Sequence, residues 1–385
     1  MPRSIPALIN PDVLVWARQL LRYDIDNASC KIGIEPDVLN EWEAGTSNPS
    51  IPQLRKIGRT YNRPIAHFYL PFPPPSKMPK VRDHRLLPEG GVGYYTPELM
   101  KEFLNASSRR DIMIEMFQNV EETPKAFDRK MSIKLSIDKF ANTIRTMLGI
   151  TFEEQVSIKG NRIAFNFWRE KIEALDILVF QVSTVPIYEM RGFSLYYKIL
   201  PVIGLNRKDS YTARSFSLMH ELTHILLHET GVCDVFNNDN DSIEVFCNRV
   251  AAETLVPNQY LTEDEDVMFA SFNSFNDSQI QRLANRYCVS KEVIVRRFLS
   301  LNLIDETFYL QKRKQYSDEY KEISNSKRQS GFVPPAVNAL SLSGKPFTNM
   351  VLNNLNKNKI TSSDASAYLG VKVKHFNGIM ERLWG

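Results

Sequence analysis

Residues 216–229, FSLMHELTHILLHE, constrain this chain more than any other segment. His220 and His224 stand four residues apart, and Glu221 follows the first of them. On an α-helix, positions i and i+4 lie one turn apart on the same face. Two imidazole nitrogens on that face can converge on one zinc ion. The adjacent carboxylate is then placed to take a proton from the water that attacks a peptide carbonyl. Leu218, Met219, Leu222, Ile225, Leu226 and Leu227 fill the rest of the segment, so the spacing predicts a half-buried helix with its polar stripe turned to a metal. The plain alternative is a helix with surface histidines. Against it, three of the six histidines, His220, His224 and His228, fall within nine residues.

A catalytic zinc of the peptidase kind needs a third protein ligand and one open position. Glu244 lies 20 residues after His224, in a segment where Ile243, Phe246, Cys247, Val250 and Ala251 recur at helical spacing. That is the separation at which glutamate-bearing zinc peptidases of the thermolysin kind supply their third ligand. Asn248, one turn on, is placed to hydrogen-bond a ligating imidazole and fix its tautomer; thermolysin-like enzymes usually carry Asp there. Glu253 competes for the same role, but it faces the opposite side of that helix, so both cannot reach the metal. His228 lies a full turn, ~5.4 Å, beyond His224. That is too far to complete a tetrahedron, so packing or substrate contact is expected of it.

The stretch from Arg191 to Glu229, together with the helix that follows, resembles the ImmA/IrrE family of zinc-dependent endopeptidases. The resemblance rests on Leu205-Asn206, Arg214, Phe216, Leu218, the His220-Glu221-x-x-His224 pattern, and Asn248, Ala251, Ala252, Glu253, Leu255 and Pro257. Cys247 replaces the usual alanine and Val250 the usual phenylalanine. It covers residues 160–300, and implies an endopeptidase that cuts regulatory proteins such as helix-turn-helix repressors. On this reading His220, His224 and Glu244 hold Zn2+ and Glu221 activates water. Tyr211, Arg214 and Tyr260 are candidates for contacts to substrate or transition state, with His228 beside them. The strand 202–206, taken as an edge, offers strand addition to a peptide. The rival is a non-catalytic DNA-binding regulator, or an antitoxin-type protein that binds a partner toxin, with an idle or structural metal site. A buried Glu221 without a cleft favours the rival; an open metal beside a groove favours the enzyme.

The flanks set the organisation. Residues 1–70 read as a domain of short helices, opened by Pro11, Pro36 and Pro52 and broken at Gly33. Trp42, Glu43, Gly45, Pro49 and Leu54 resemble the frame of the Xre/Cro helix-turn-helix class. The expected recognition helix begins Glu35-Pro36-Asp37 and continues through Glu41 and Glu43, so Asn40 is its one good base reader. Residues 71–93 hold six prolines and three glycines and read as a linker. Residues 94–310 are expected to form the peptidase domain. Its helical lead-in covers 94–122, 132–158 and 162–174, and short strands follow at 177–182 and 201–206. Residues 280–305 also scan as helix–turn–helix and are read as support, with Arg296 and Arg297 exposed. Residues 311–385 read as a basic helical C-terminal region, with Gly370 between two helices and Lys372, Lys374 and His375 at the start of the second. The fold class is α+β.

Charge and composition add limits. Residues 325–385 carry eight Lys/Arg against two acids, whereas residues 1–70 carry eight against seven. Any pull on DNA is therefore expected from the C-terminal region. The chain is 43% hydrophobic and 24% charged, the balance of a folded soluble protein. No apolar run approaches the ~20 residues of a membrane helix, and the N-terminus lacks the apolar core of a signal peptide. The four cysteines form no CxxC pair, which fits reduced thiols and a cytoplasmic protein without disulfides.

Overall fold

Capping residues mark out the N-terminal helices. The computed structural model describes residues 5–74, 82–83, 95–229, 231–233, 242–326 and 333–385. Helix α1 (Pro11–Leu20) starts where the Asn10 side chain accepts the Asp12 N–H, with proline in the first turn. Helix α2 (Ile25–Ile32) is capped by Asp24 and stops at Gly33, whose φ of 76° is left-handed. Helix α3 (Pro36–Glu43) follows at once. Helix α4 (Ile51–Thr60) opens on a capping box between Ser50 and Gln53. Leu14, Ala28, Leu39, Trp42, Leu54 and Ile57 are buried among these helices, and Arg18 grips Glu43 through two bonds of 2.8 Å. This unit comprises residues 1–79 and 90–105. It includes the first residues of α5 (Pro97–Asn119), whose remainder belongs to the second unit. Of the expected linker, residues 75–81 and 84–93 lie outside the described residues.

The second unit comprises residues 80–89 and 106–385. The helical segment expected at 132–158 is two helices, α6 (Ile137–Met147) and α7 (Phe152–Ser157). Gly149, at φ 60°, ends the first, and the Thr151 hydroxyl caps the second. Helix α8 (Asn161–Glu173) leads into a mixed sheet of β1 (Arg82–Asp83), β2 (Leu178–Val182), β3 (Gly192–Leu195), β4 (Val202–Asn206) and β5 (Gly231–Cys233). Their order is β1-β5-β3-β4-β2. β3 runs antiparallel to both neighbours; the β2–β4 and β1–β5 pairs are parallel. Many helices around a small mixed sheet are compatible with an α+β class.

Strand β4 corrects one expectation. It is not an edge strand, because it pairs with β2 on one side and β3 on the other, so no peptide can add to it. Its five residues are all buried, which is how a strand covered on both faces reads. β3 escapes sequence reading for a related reason: its four residues, GFSL, are buried on both faces and show no alternation.

Helix α9 (Tyr211–Leu227) lies under this sheet and packs against α8 and α10 (Ser242–Leu255). After them come α11 (Asn258–Thr262), α12 (Glu265–Met268), α13 (Asp277–Tyr287), α14 (Lys291–Ser300) and α15 (Glu306–Ser326). The C-terminal helices are α16 (Pro335–Ser343), α17 (Lys345–Asn356), α18 (Ser362–Leu369) and α19 (Phe376–Trp384). They belong to the second unit. The Ser341 carbonyl accepts from Arg169 at 2.7 Å and from Gln181 of β2 at 2.8 Å, and Phe347 meets Phe180 edge-on. Cys30 and Cys288 are free thiols. Among the described residues, no helix is long and apolar enough to cross a membrane.

Candidate metal centre

Helix α9 starts where the Ser210 hydroxyl accepts the Ala213 N–H, and it ends at His228 in a left-handed conformation, φ 60°. Every residue from Arg214 to Leu226 is buried. The sequence spacing predicted half burial; β3, β4, α8 and α10 cover the helix on several sides. Its one strongly polar stripe therefore sits in the interior, where polar groups need partners.

The partners come from α10. His220 Nε2 lies 3.1 Å from Glu244 Oε2, and His224 Nε2 lies 3.0 Å from Glu244 Oε1. The two Nε2 atoms are 3.1 Å apart, and all three side chains have 0% exposure. Ligands ~2.0–2.1 Å from one tetrahedral zinc stand on the order of 3.3 Å apart, so two imidazoles and a carboxylate at these separations fit a single ion. The nitrogen–oxygen donor set also suits zinc. Electrostatics agree. Burial alone would lower the His220 pKa, but the Glu244 carboxylate beside it pulls it above the ordinary value. Burial would raise the Glu244 pKa, and the two imidazoles hold it below the usual carboxylate range instead.

Glu221 is fully buried next to this cluster, and its charge also acts on His220. Space for its carboxylate comes from β3. A Cβ added at Gly192 would lie 2.6 Å from Glu221 Oε1 and 3.0 Å from its Cγ. No spacing in the sequence announces this contact, because the two residues belong to separate elements. Asn248 acts on the His220 imidazole, weakly raising its pKa. Even so, Asn248 Oδ1 and His220 Nδ1 are both buried without a hydrogen bond of good geometry.

The other candidates fall elsewhere. Glu253 accepts the Asn258 N–H at 2.8 Å and pairs with Arg297, away from the imidazoles. Arg297, expected to be exposed, is buried at 4% and also donates to the Val256 carbonyl at 3.0 Å. Arg296 is half-buried and donates to the Tyr309 hydroxyl at 2.9 Å. His228 stacks on Tyr196 with ring centroids 4.1 Å apart, and burial lowers its pKa. Arg214 is buried, donates to Gln181 at 2.6 Å and lies over the Tyr211 ring at 4.0 Å. Tyr260 stacks face-on with Phe152. Asn40, Lys372 and Lys374 are exposed.

Residues 172–299 match the family model Peptidase_M78, the IrrE N-terminal-like domain. This third of the chain runs from the end of α8 to α14 and contains the whole His220–His224–Glu244 cluster. It supports the ImmA/IrrE resemblance there and denotes a metallopeptidase-type domain. No curated protein and no solved structure matches the chain.

Proposed function

We propose that the chain is a zinc-dependent endopeptidase that cuts a regulatory protein, with His220, His224 and Glu244 as metal ligands. The observation that carries this reading is the buried cluster of two imidazoles and one carboxylate with Glu221 beside it. Zinc held in such a set lowers the pKa of water to ~7 and polarises a carbonyl. Glu221 takes the proton of the attacking water and delivers it to the leaving amine, the work of a general base turned acid. Gly192 keeps the Glu221 carboxylate in place by leaving it room. Asn248 lies close enough to the His220 imidazole to favour its charged form, the smallest of the influences on that ring.

The N-terminal helices, on our reading, form an Xre/Cro-type helix-turn-helix unit that recognises a protein partner. Supporting this, α3 exposes Glu35, Asp37 and Glu41 around Asn40. Three carboxylates there oppose phosphate contacts. Binding of DNA by Lys372 and Lys374 is the corresponding proposal for the C-terminal helices.

One observation favours a second reading, a regulator with a structural metal. His220, Glu221, His224 and Glu244 are all fully buried, and they line neither the cavity between α9, α14 and α15 nor the one beside Phe152 and Tyr260. Glu221→Gln separates the readings. In the enzyme, this variant keeps its zinc and its melting temperature, while cleavage of a cognate helix-turn-helix repressor falls about 10²–10⁴-fold, because an amide cannot accept the proton. Equal cleavage by both forms, followed on a gel, sinks the mechanism. Absence of cleavage by wild type, with unfolding on chelation, supports the regulator.

A further inference from the structure

Strand β3 turns one side to helix α9, and its alignment with the helix is fixed at both ends. Gly192 lies against Glu221, where an added Cβ would stand 2.6 Å from Oε1. Tyr196, the residue after the strand, stacks on His228 with ring centroids 4.1 Å apart. Residues i, i+2 and i+4 of a strand share a face, so Ser194 points the same way as these two and sits midway between them. On α9, Glu221, His224 and His228 follow one another at i, i+3 and i+7 along one face. The strand covers ~13 Å from Gly192 to Tyr196, and the helix ~10.5 Å from Glu221 to His228. The middle residues, Ser194 and His224, therefore fall opposite each other.

The neighbouring strands agree on this face. Ser194 is directly opposite Ile203 of β4, and Ile203 is directly opposite Val179 of β2. Opposed residues share a face of the sheet, and Ile203 and Val179 belong to the core that includes Leu218, Leu222 and Ile225 of α9. Into this aliphatic row Ser194 brings a hydroxyl. It has 0% exposure, and its Oγ has no hydrogen bond among the described residues. Burying a hydroxyl without a partner is unfavourable, so packing alone gives no reason for a serine here.

We propose that Ser194 is a positioning residue of the metal centre, its Oγ accepting the N–H of His224 on the side of the ring away from the ion. The inference rests on the assignment of His224 as a metal ligand and names an outer partner for it. His224 Nε2 lies 3.0 Å from Glu244 Oε1 and 3.1 Å from His220 Nε2. Nε2 is thus the nitrogen turned to the ion, and Nδ1 is the one turned from it. A ligating imidazole gives its second N–H to an acceptor, which fixes the tautomer and the ring. A hydroxyl can accept that proton, and a single χ1 torsion aims it. Glu221 and His228 are matched to Gly192 and Tyr196 on the same strand face, which leaves His224 for Ser194.

The test reads metal binding and stability, without turnover. Zinc affinity of the full-length chain is measured by competition with a chromogenic chelator, and melting is followed with and without zinc. Ser194→Ala should weaken zinc binding by about 10–100-fold. Without zinc it should melt no lower than wild type, because it loses only a hydroxyl that has no partner there. Ser194→Thr keeps the hydroxyl and should restore most of the affinity. Ser343→Ala is the control: its hydroxyl is also buried without a partner, but on α16, which packs against β2, so zinc affinity should not change. Where the threonine methyl lowers the melting temperature, the two alanine variants decide. Zinc affinity of Ser194→Ala equal to that of wild type overturns the proposal. So does an equal fall in melting temperature with and without zinc, the mark of a packing role. A chain that shows the expected ranking yet cuts no protein keeps the Ser194 assignment and loses the hydrolytic reading alone. A wild-type chain that binds no zinc removes both.

Discussion

Near the start of α10, Glu244 stands among imidazoles; near its end, Glu253 stands against a guanidinium. Both carboxylates are buried, and burial by itself raises the pKa of each. At Glu244 the two histidines overcome burial and hold the group ionised. At Glu253 burial outweighs Arg297, and the pKa stays above the ordinary value. Their pH dependences therefore have opposite signs. The Glu244 contribution to stability is present above the ordinary carboxylate value and is lost as pH falls through the depressed one. The Glu253 contribution is largest below the ordinary value and declines as pH rises through the raised one. What separates the proposed metal ligand from a structural ion pair on one helix is thus the neighbour. An imidazole can give up its proton and offer a lone pair to an ion, whereas a guanidinium stays protonated and has none to offer.

The largest expected effect tests that distinction directly. By dialysis against zinc, wild-type protein should hold about one ion per chain. His220→Ala or His224→Ala should hold none. Glu244→Ala should weaken the site by more than the ~10–100-fold typical of an outer partner, while Glu253→Ala keeps its full content. A site emptied by Glu253→Ala and kept by Glu244→Ala would reverse the two ends of the helix.

Next in size is the stability of the Glu253 end. Removing one partner of a buried pair leaves the other charged and alone, at a cost of ~3–5 kcal/mol. Glu253→Ala should lower unfolding stability in urea by that order. Arg297 also bonds the Val256 carbonyl and the Asn258 side chain, so it tethers the end of α10 to α14. The double variant Glu253→Leu/Arg297→Met should recover most of the loss, since an apolar pair of similar volume needs no compensation. A single variant that costs less than about 1 kcal/mol would place the pair in effective contact with water.

The sequence exposes the helical half of the site far better than the sheet half. His220, Glu221 and His224 are legible because one turn of helix brings them together within five residues. Glu244 is legible by its offset, and its opposition to Glu253 by the 100° step of a helix. Strand β3 carries no such signal: four residues buried on both faces look like any short apolar run. β4 read as an edge because pairing is a long-range property that spacing does not encode. The C-terminal residues read as a separate basic region, since their surface charge is local. Their anchoring through Ser341 to Arg169 and Gln181 spans 160 residues or more. Point substitutions at Lys372 and Lys374 are for that reason a cleaner probe of DNA contact than deleting the region.

The smallest expected effect on stability approaches the site from β3, through a residue that touches no candidate ligand. Gly192 is buried, and its backbone is not left-handed, so an alanine there meets no backbone strain. The obstacle is space alone, with the new Cβ 2.6 Å from Glu221 Oε1 and 3.2 Å from its Cδ. Either the carboxylate turns away or β3 shifts. Overpacking of this kind costs ~1–3 kcal/mol, which a urea titration of Gly192→Ala should read. Zinc content should stay unchanged, because His220, His224 and Glu244 are not crowded, while cleavage falls toward the level of Glu221→Gln. Shortening the base relieves the clash, so Gly192→Ala/Glu221→Asp should regain stability over Gly192→Ala without regaining full cleavage. If Gly192→Ala instead sheds its zinc and keeps its activity per bound ion, then β3 buttresses the ligands and not the base. The division of labour between the α10 carboxylate and the α9 carboxylate would have to be redrawn.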